Sequence, residues 1–186
     1  MIKVFLVEDE IVMRNGIKNN IPWEKEGLEF AGEASDGELA YPLIRKVQPD
    51  ILITDIRMPF MDGLELSELV KKEFPRIKII ILSGYNEFEY AKLAVRLGVS
   101  DYILKPVNPQ EFAQTIEKVT GELQKQYVEN EQRLQQSSYM REYLLYTLFN
   151  GGSAEQVHTL AGNLAGENFW NHFHRIVFLE FDREFF

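Results

Sequence analysis

Ile51-Leu52-Ile53-Thr54-Asp55-Ile56-Arg57-Met58-Pro59 is the stretch that decides the fold. Apolar and β-branched residues run without a break into an aspartate, and a proline closes the run. Continuous apolar character, rather than alternation, suits a strand buried on both faces, as in a parallel sheet covered by helices. Pro59 has no amide hydrogen to give to a sheet, so the strand is expected to end near Asp55. The Asp55 carboxylate then stands at the carboxyl end of a central strand, the edge at which open α/β sheets bind their ligands. A lone aspartate there can equally do no more than cap the following turn, and the rest of the chain decides between the two.

The same pattern repeats on either side. Upstream, Ile2–Val7 reads as a buried strand with Glu8-Asp9-Glu10 at its carboxyl end, and Ile11 to Ile21 as a helix stopped by Pro22. Leu28–Ala34 alternates like an edge strand, and Ser35-Asp36 offers an N-cap to a helix reaching about Val47. Pro42 falls inside that helix, where it predicts a kink or a late start. Downstream, Asp62–Phe74 reads as a helix and Ile77–Leu82 as a strand ending at Ser83-Gly84. Asn86–Leu97 is expected to be a helix stopped by Gly98. Asp101–Leu104 is a short strand ending at Lys105-Pro106, and Asn108 caps a last helix with Pro109 at its first position. Strands alternating with helices in this way predict a doubly wound, five-stranded parallel sheet with helices on both faces.

In such a sheet the carboxyl ends of the strands share one rim. Glu8, Asp9, Asp55, Ser83 and Lys105 should therefore converge. Two carboxylates about 4 Å apart repel by roughly 4 kcal/mol at an effective dielectric near 20, so three of them call for a cation or for raised pKa values. Oxygen ligands without His or Cys point to Mg²⁺ rather than zinc. A metal held by few protein groups leaves room for a phosphoryl oxygen, with a lysine to pair with a second and a hydroxyl for a third. The set suits phosphoryl transfer onto Asp55. Asp50, Asp62 and Asp101 read as structural acids that cap or precede elements, and Met58 and Met61 as packing residues.

Composition narrows the classes. Apolar residues at 45% are ample for a core, and charged residues at 26% fit a soluble protein. A net charge of −9 argues against non-specific binding of a phosphate backbone. The absence of cysteine excludes disulfides, zinc–thiolate sites and thiol catalysis. The first apolar run is too short for a signal peptide, and no run approaches a membrane span, so a cytoplasmic protein without membrane contact is expected.

Taken together, Glu8-Asp9, Asp55 with Met58-Pro59 and Gly63, Ser83-Gly84 and Tyr102-Ile103-Leu104-Lys105-Pro106 resemble the receiver domain of two-component response regulators. The resemblance covers about residues 1–122 and implies a flavodoxin-like sheet of order 2-1-3-4-5. It implies that Asp55 accepts a phosphoryl group from a phosphohistidine of a sensor histidine kinase. Glu8, Asp9, Asp55 and the backbone carbonyl of Arg57 would hold Mg²⁺. Lys105 would pair with the phosphoryl group, Ser83 would turn towards it, and Tyr102 would report the switch by changing rotamer. The Lys105–Pro106 bond is usually cis in this family. Such a domain is a phosphoacceptor that assists its own phosphorylation and dephosphorylation rather than a free-standing enzyme.

Other readings fit the chemistry less well. A haloacid-dehalogenase-type phosphatase needs a second acid two residues beyond its aspartate, and Arg57 stands there. A flavin-binding flavodoxin cradles phosphate after its first strand, where Glu8-Asp9-Glu10 would repel it. A pseudo-receiver acting only as a scaffold would lack one of the five groups, and all are present.

Beyond the receiver, Phe112, Ile116, Val119 and Leu123 recur at helical spacing. Leu123, Tyr127, Asn130, Leu134, Ser137, Arg141, Leu144 and Leu148 then follow a heptad pattern, so residues 123–150 are expected to form a helical, coiled-coil-like linker with Gly121 as a weak point. Residues 151–186 read as the start of a second domain cut short, with one helix over Ser153–Leu164 and a strand over Arg175–Phe181. His158, His172 and His174 read as ordinary surface or packing residues. The phrase Ser83-Gly84-Tyr85-Asn86-Glu87-Phe88-Glu89-Tyr90-Ala91 is similar to receivers that precede an AraC-type helix-turn-helix output domain, and Tyr143–Gly152 resembles the linker of that group. The resemblance implies contact with DNA only through an output domain that these residues do not include, and a homodimer formed by the last receiver helices and the linker.

Overall fold

The computed structural model describes residues 1–84, 88–153, 155–157 and 159–160. The elements in order are β1 (Ile2–Val7), α1 (Ile11–Asn20), a 3-10 turn (Trp23–Glu26), β2 (Leu28–Ala34), α2 (Gly37–Val47), β3 (Ile51–Asp55), α3 (Gly63–Glu73), β4 (Lys78–Ser83), α4 (Phe88–Leu97), β5 (Asp101–Leu104) and α5 (Pro109–Phe149). The strands form one parallel sheet of order β2-β1-β3-β4-β5, the order the sequence predicts. The chain divides into two compact units, Met1–Lys125 and Gln126–Phe186.

Period-two alternation along each strand divides the core of the first unit in two. Val4, Leu6, Ile51, Ile53, Ile80, Leu82 and Ile103 share one cluster with Ile17 of α1 and Phe112, Ile116, Val119 and Leu123 of α5. Phe5, Val7, Leu52, Ile79 and Ile81 share the other with α2, α3 and Ala94 of α4. Ile51, Leu52 and Ile53 are wholly buried. At about 1.5–3 kcal/mol for each such side chain, this strand anchors both layers.

Local signals act mostly as expected. Asp36 caps α2 by accepting from the Leu39 amide at 2.9 Å. Asp62 and Glu65 form a capping box at the start of α3. The Asn108 side chain accepts from Gln110 at 2.9 Å. Asp50 accepts from the Lys3 amide at 2.7 Å, and Asp101 accepts from the Tyr102 amide and pairs with Lys118, each at 2.8 Å. Met58 and Met61 pack against the second cluster.

Two helices add detail to the expectations. α2 has no late start, because it begins at Gly37, directly after its cap, with Pro42 inside it. Burial of Ala40 and Ile44 and the Asp36 cap outweigh the one backbone bond that proline removes. α5 runs through Gly121 without interruption and ends at Phe149. In the second unit, helix follows again at residues 155–157 and 159–160. The expected strand over residues 175–181, the three histidines and residues 85–87 lie outside the described residues. Among those described, no helix is long and apolar enough to cross a membrane.

Candidate functional site

β1, β3 and β5 deliver the charged groups. β1 and β3 are direct neighbours in register, Val7 opposite Thr54, so Glu8-Asp9 and Asp55 leave the sheet side by side. Glu8, Asp9 and Asp55 each offer a carboxylate oxygen within 4.8 Å of the others. Lys105 follows β5 and reaches back between two of them. Its Nζ donates to Asp55 Oδ2 at 2.8 Å and to Glu8 Oε1 at 2.9 Å.

The loops are held locally. The Arg14 guanidinium donates to the Glu8 carbonyl at 2.6 Å and lies 3.8 Å from Glu33, which fixes the turn after β1. No sequence pattern singled Arg14 out for this. Asp55 Oδ1 accepts from the Ile56 amide at 2.7 Å. Gly63 closes the loop after β3 by donating from its amide to the Ile56 carbonyl at 2.9 Å, and a Cβ at Gly63 would overlap the Asp55 carbonyl oxygen.

The electrostatics follow from burial. Burial pushes the pKa of Glu8 up, the Lys105 hydrogen bond opposes this, and the Asp55 charge adds to it, with a raised value as the result. Asp55 is raised in the same way, again by burial first, with Lys105 opposing and Asp9 adding. For Lys105 burial acts downwards, but the bonds to Asp55 and Glu8 outweigh it and its pKa is raised. Glu8 Oε2 also lies 2.9 Å from Lys105 Nζ, so that one ammonium is shared by both Glu8 oxygens and by Asp55. Three converging carboxylates against one ammonium leave an all-oxygen set with negative charge in excess, the chemistry a hard divalent cation requires, and the residues present fit Mg²⁺.

The other expected residues stand around this centre. Ser83 is buried at the end of β4, its Oγ donates to the Gly84 carbonyl at 3.2 Å, and its own carbonyl accepts from the Lys105 amide at 2.6 Å. Tyr102 lies one strand over, opposite Ile81, and packs half-buried against the second core cluster. Arg57 is exposed in the loop after β3. The Lys105–Pro106 peptide bond is cis. Sequence reasoning passed over Phe60, an exposed aromatic residue in the loop after β3 with φ +66°.

A parallel sheet of this order with three acids and a lysine at its rim defines a class, and comparison bears that out. Residues 4–117 match the response regulator receiver domain, and the chain belongs to that family. Among curated proteins it is 44% identical over 128 residues to the transcriptional regulatory protein YesN of Bacillus subtilis, covering 69% of this chain and 35% of that protein. It is 36% identical over 131 residues to the transcriptional regulatory protein HptR of Staphylococcus aureus, covering 70% of this chain and 51% of that protein. The chain thus spans between a third and about half of the length of these relatives. Among solved structures, the receiver domain of AraT, a response regulator of Geobacillus stearothermophilus, superposes with a TM-score of 0.64 at 39% identity, covering 67% of this chain and 97% of that one. Residues 4–117 are therefore the receiver domain of a response regulator of two-component signalling, with transcriptional regulators among the chain's relatives.

Proposed function

We propose that Asp55 is the phosphoacceptor, taking its phosphoryl group from a phosphohistidine of a sensor histidine kinase in the cytoplasm. The observation that carries this reading is the convergence of Glu8, Asp9 and Asp55 with the Lys105 ammonium bonded to Asp55. An Asp55 carboxylate oxygen attacks phosphorus; the new O–P bond forms as the P–N bond breaks, and the imidazole nitrogen leaves with that electron pair. Lys105 moves from the carboxylate to a phosphoryl oxygen and follows the transferred charge. Glu8, Asp9, Asp55 and the Arg57 carbonyl would hold Mg²⁺, which when bound offsets the negative charge of the acids and the phosphoryl oxygens. Ser83 turns to a phosphoryl oxygen, and Tyr102 follows it inwards. The change favours pairing with a second copy through the last receiver helices and the linker, residues 123–150. In the whole protein it controls transcription through a DNA-binding domain, by analogy with the named relatives.

Incubation with acetyl phosphate and Mg²⁺, read by intact mass, tests the reading. We expect a gain of one phosphoryl group that is lost in Asp55→Asn and slowed in Asp9→Asn. A gain that persists in Asp55→Asn contradicts it.

A further inference from the structure

Phe60 is 82% exposed, yet the chain holds it at φ +66°, where bulky side chains are rarely found. Across it the Met61 amide donates to the Pro59 carbonyl at 2.8 Å. That closes a three-residue γ-turn in its positive-φ form, the rare and strained one. The turn is fastened on both sides. The Gly37 amide donates to the Met61 carbonyl at 3.2 Å, and the Gly63 amide to the Ile56 carbonyl at 2.9 Å. Glycine or asparagine would take this conformation with little strain. Neither the backbone nor the core therefore accounts for a phenylalanine here, and strain of this kind gathers at functional sites.

Its place suggests the use. The turn lies in the loop that leaves β3 directly after Asp55, and the exposed Ile11 and Val12 open α1 after the neighbouring β1. Asp55 is only 6% exposed. A protein donor must bring its phosphorus within bonding distance of that carboxylate, so its surface has to lie across the loops around it. An aromatic ring held out of the core at such a mouth is the kind of side chain that dominates binding energy once water is excluded from it. We propose that Phe60 is an apolar anchor on which a phosphohistidine-bearing protein docks over Asp55. The inference rests on the reading of Asp55 as phosphoacceptor. A small donor has no surface to lay against the ring and does not use it.

The test compares two donors with the same P–N bond: phosphoramidate, and the autophosphorylated cytoplasmic part of a sensor histidine kinase that labels the parent chain. Phe60→Asn keeps the turn and relieves its strain, and Phe60→Tyr keeps the ring. We expect Phe60→Asn to stay within about twofold of the parent with phosphoramidate and to lose about tenfold or more in transfer from the kinase, with Phe60→Tyr close to the parent in both. Equal transfer from the kinase to Phe60→Asn and the parent overturns the inference. A parent chain that phosphoramidate does not label instead sinks the reading of Asp55 itself.

Discussion

Lys105 bonds two buried carboxylates side by side. Removing one member of a buried pair leaves the other charge uncompensated, at a cost of roughly 3–5 kcal/mol. Lys105→Met should therefore lower the urea midpoint at pH 7, and an unchanged midpoint would mean that the contact contributes nothing. Asp55→Asn should act in the opposite direction. Because the folded-state pKa values of Asp55 and Glu8 lie above their ordinary 3.8 and 4.5, the folded chain holds protons that the unfolded chain has released. Stability then falls as pH rises from those ordinary values through the raised ones, and it stays lower at neutral pH. Without metal, Asp55→Asn should be more stable than the parent at pH 7, with the gain shrinking towards pH 4. A gain that grew towards acid would reverse the sign and contradict the account. Mg²⁺ should raise the melting temperature of the parent more than that of Asp55→Asn.

At the scale of elements, the site depends on how closely α3 starts behind β3. Gly63 is the first residue of α3, and any Cβ there meets the Asp55 carbonyl. Gly63→Ala should cost about 1–3 kcal/mol by overpacking and slow labelling by acetyl phosphate; a variant that unfolds and reacts like the parent would show the loop to be slack. This part of the molecule was legible in the sequence because its determinants are local. Unbroken apolar runs gave β1, β3 and β4, and Asp36, Asp62 and Asn108 marked helix starts. The acids and Lys105 stood at strand ends that the topology brings to one rim. What was not legible depends on contacts distant in sequence. Pro42 predicted a kink or a late start, but α2 starts directly after its cap, with Ala40 and Ile44 buried against the sheet. Gly121 looked like a weak point, but Val119 and Leu123 on either side of it are buried. The γ-turn at Phe60 depends on closures to Gly37 and Gly63, and no propensity places a phenylalanine there.

For the whole molecule, the question is how a bond made at Asp55 becomes a change that a partner can read. Moving a two-state equilibrium from about 1:99 to 99:1 takes roughly 5.5 kcal/mol. On the proposed reading, a charge-assisted contact from Lys105 and a hydroxyl bond from Ser83 would supply about 1.5–3 and 0.5–1.5 kcal/mol. Together they fall short, so the switch in this chain should be partial, and the part of α5 beyond residue 122 should bias it towards the dimer. Sedimentation of the full chain and of a chain ending at Lys125, each with and without acetyl phosphate, should show a tighter phosphorylated dimer in the full chain and a weaker one in the shorter. A monomer–dimer constant that phosphorylation leaves unchanged in both would favour a scaffold. All of this depends on where the phosphoryl group sits. The most direct measurement is borohydride reduction of the phosphorylated chain, which converts an acyl phosphate on aspartate into homoserine, followed by peptide sequencing. The account predicts homoserine at position 55 and nowhere else; reduction at position 8 or 9, or no reduced residue in a chain that has gained a phosphoryl group, would contradict it.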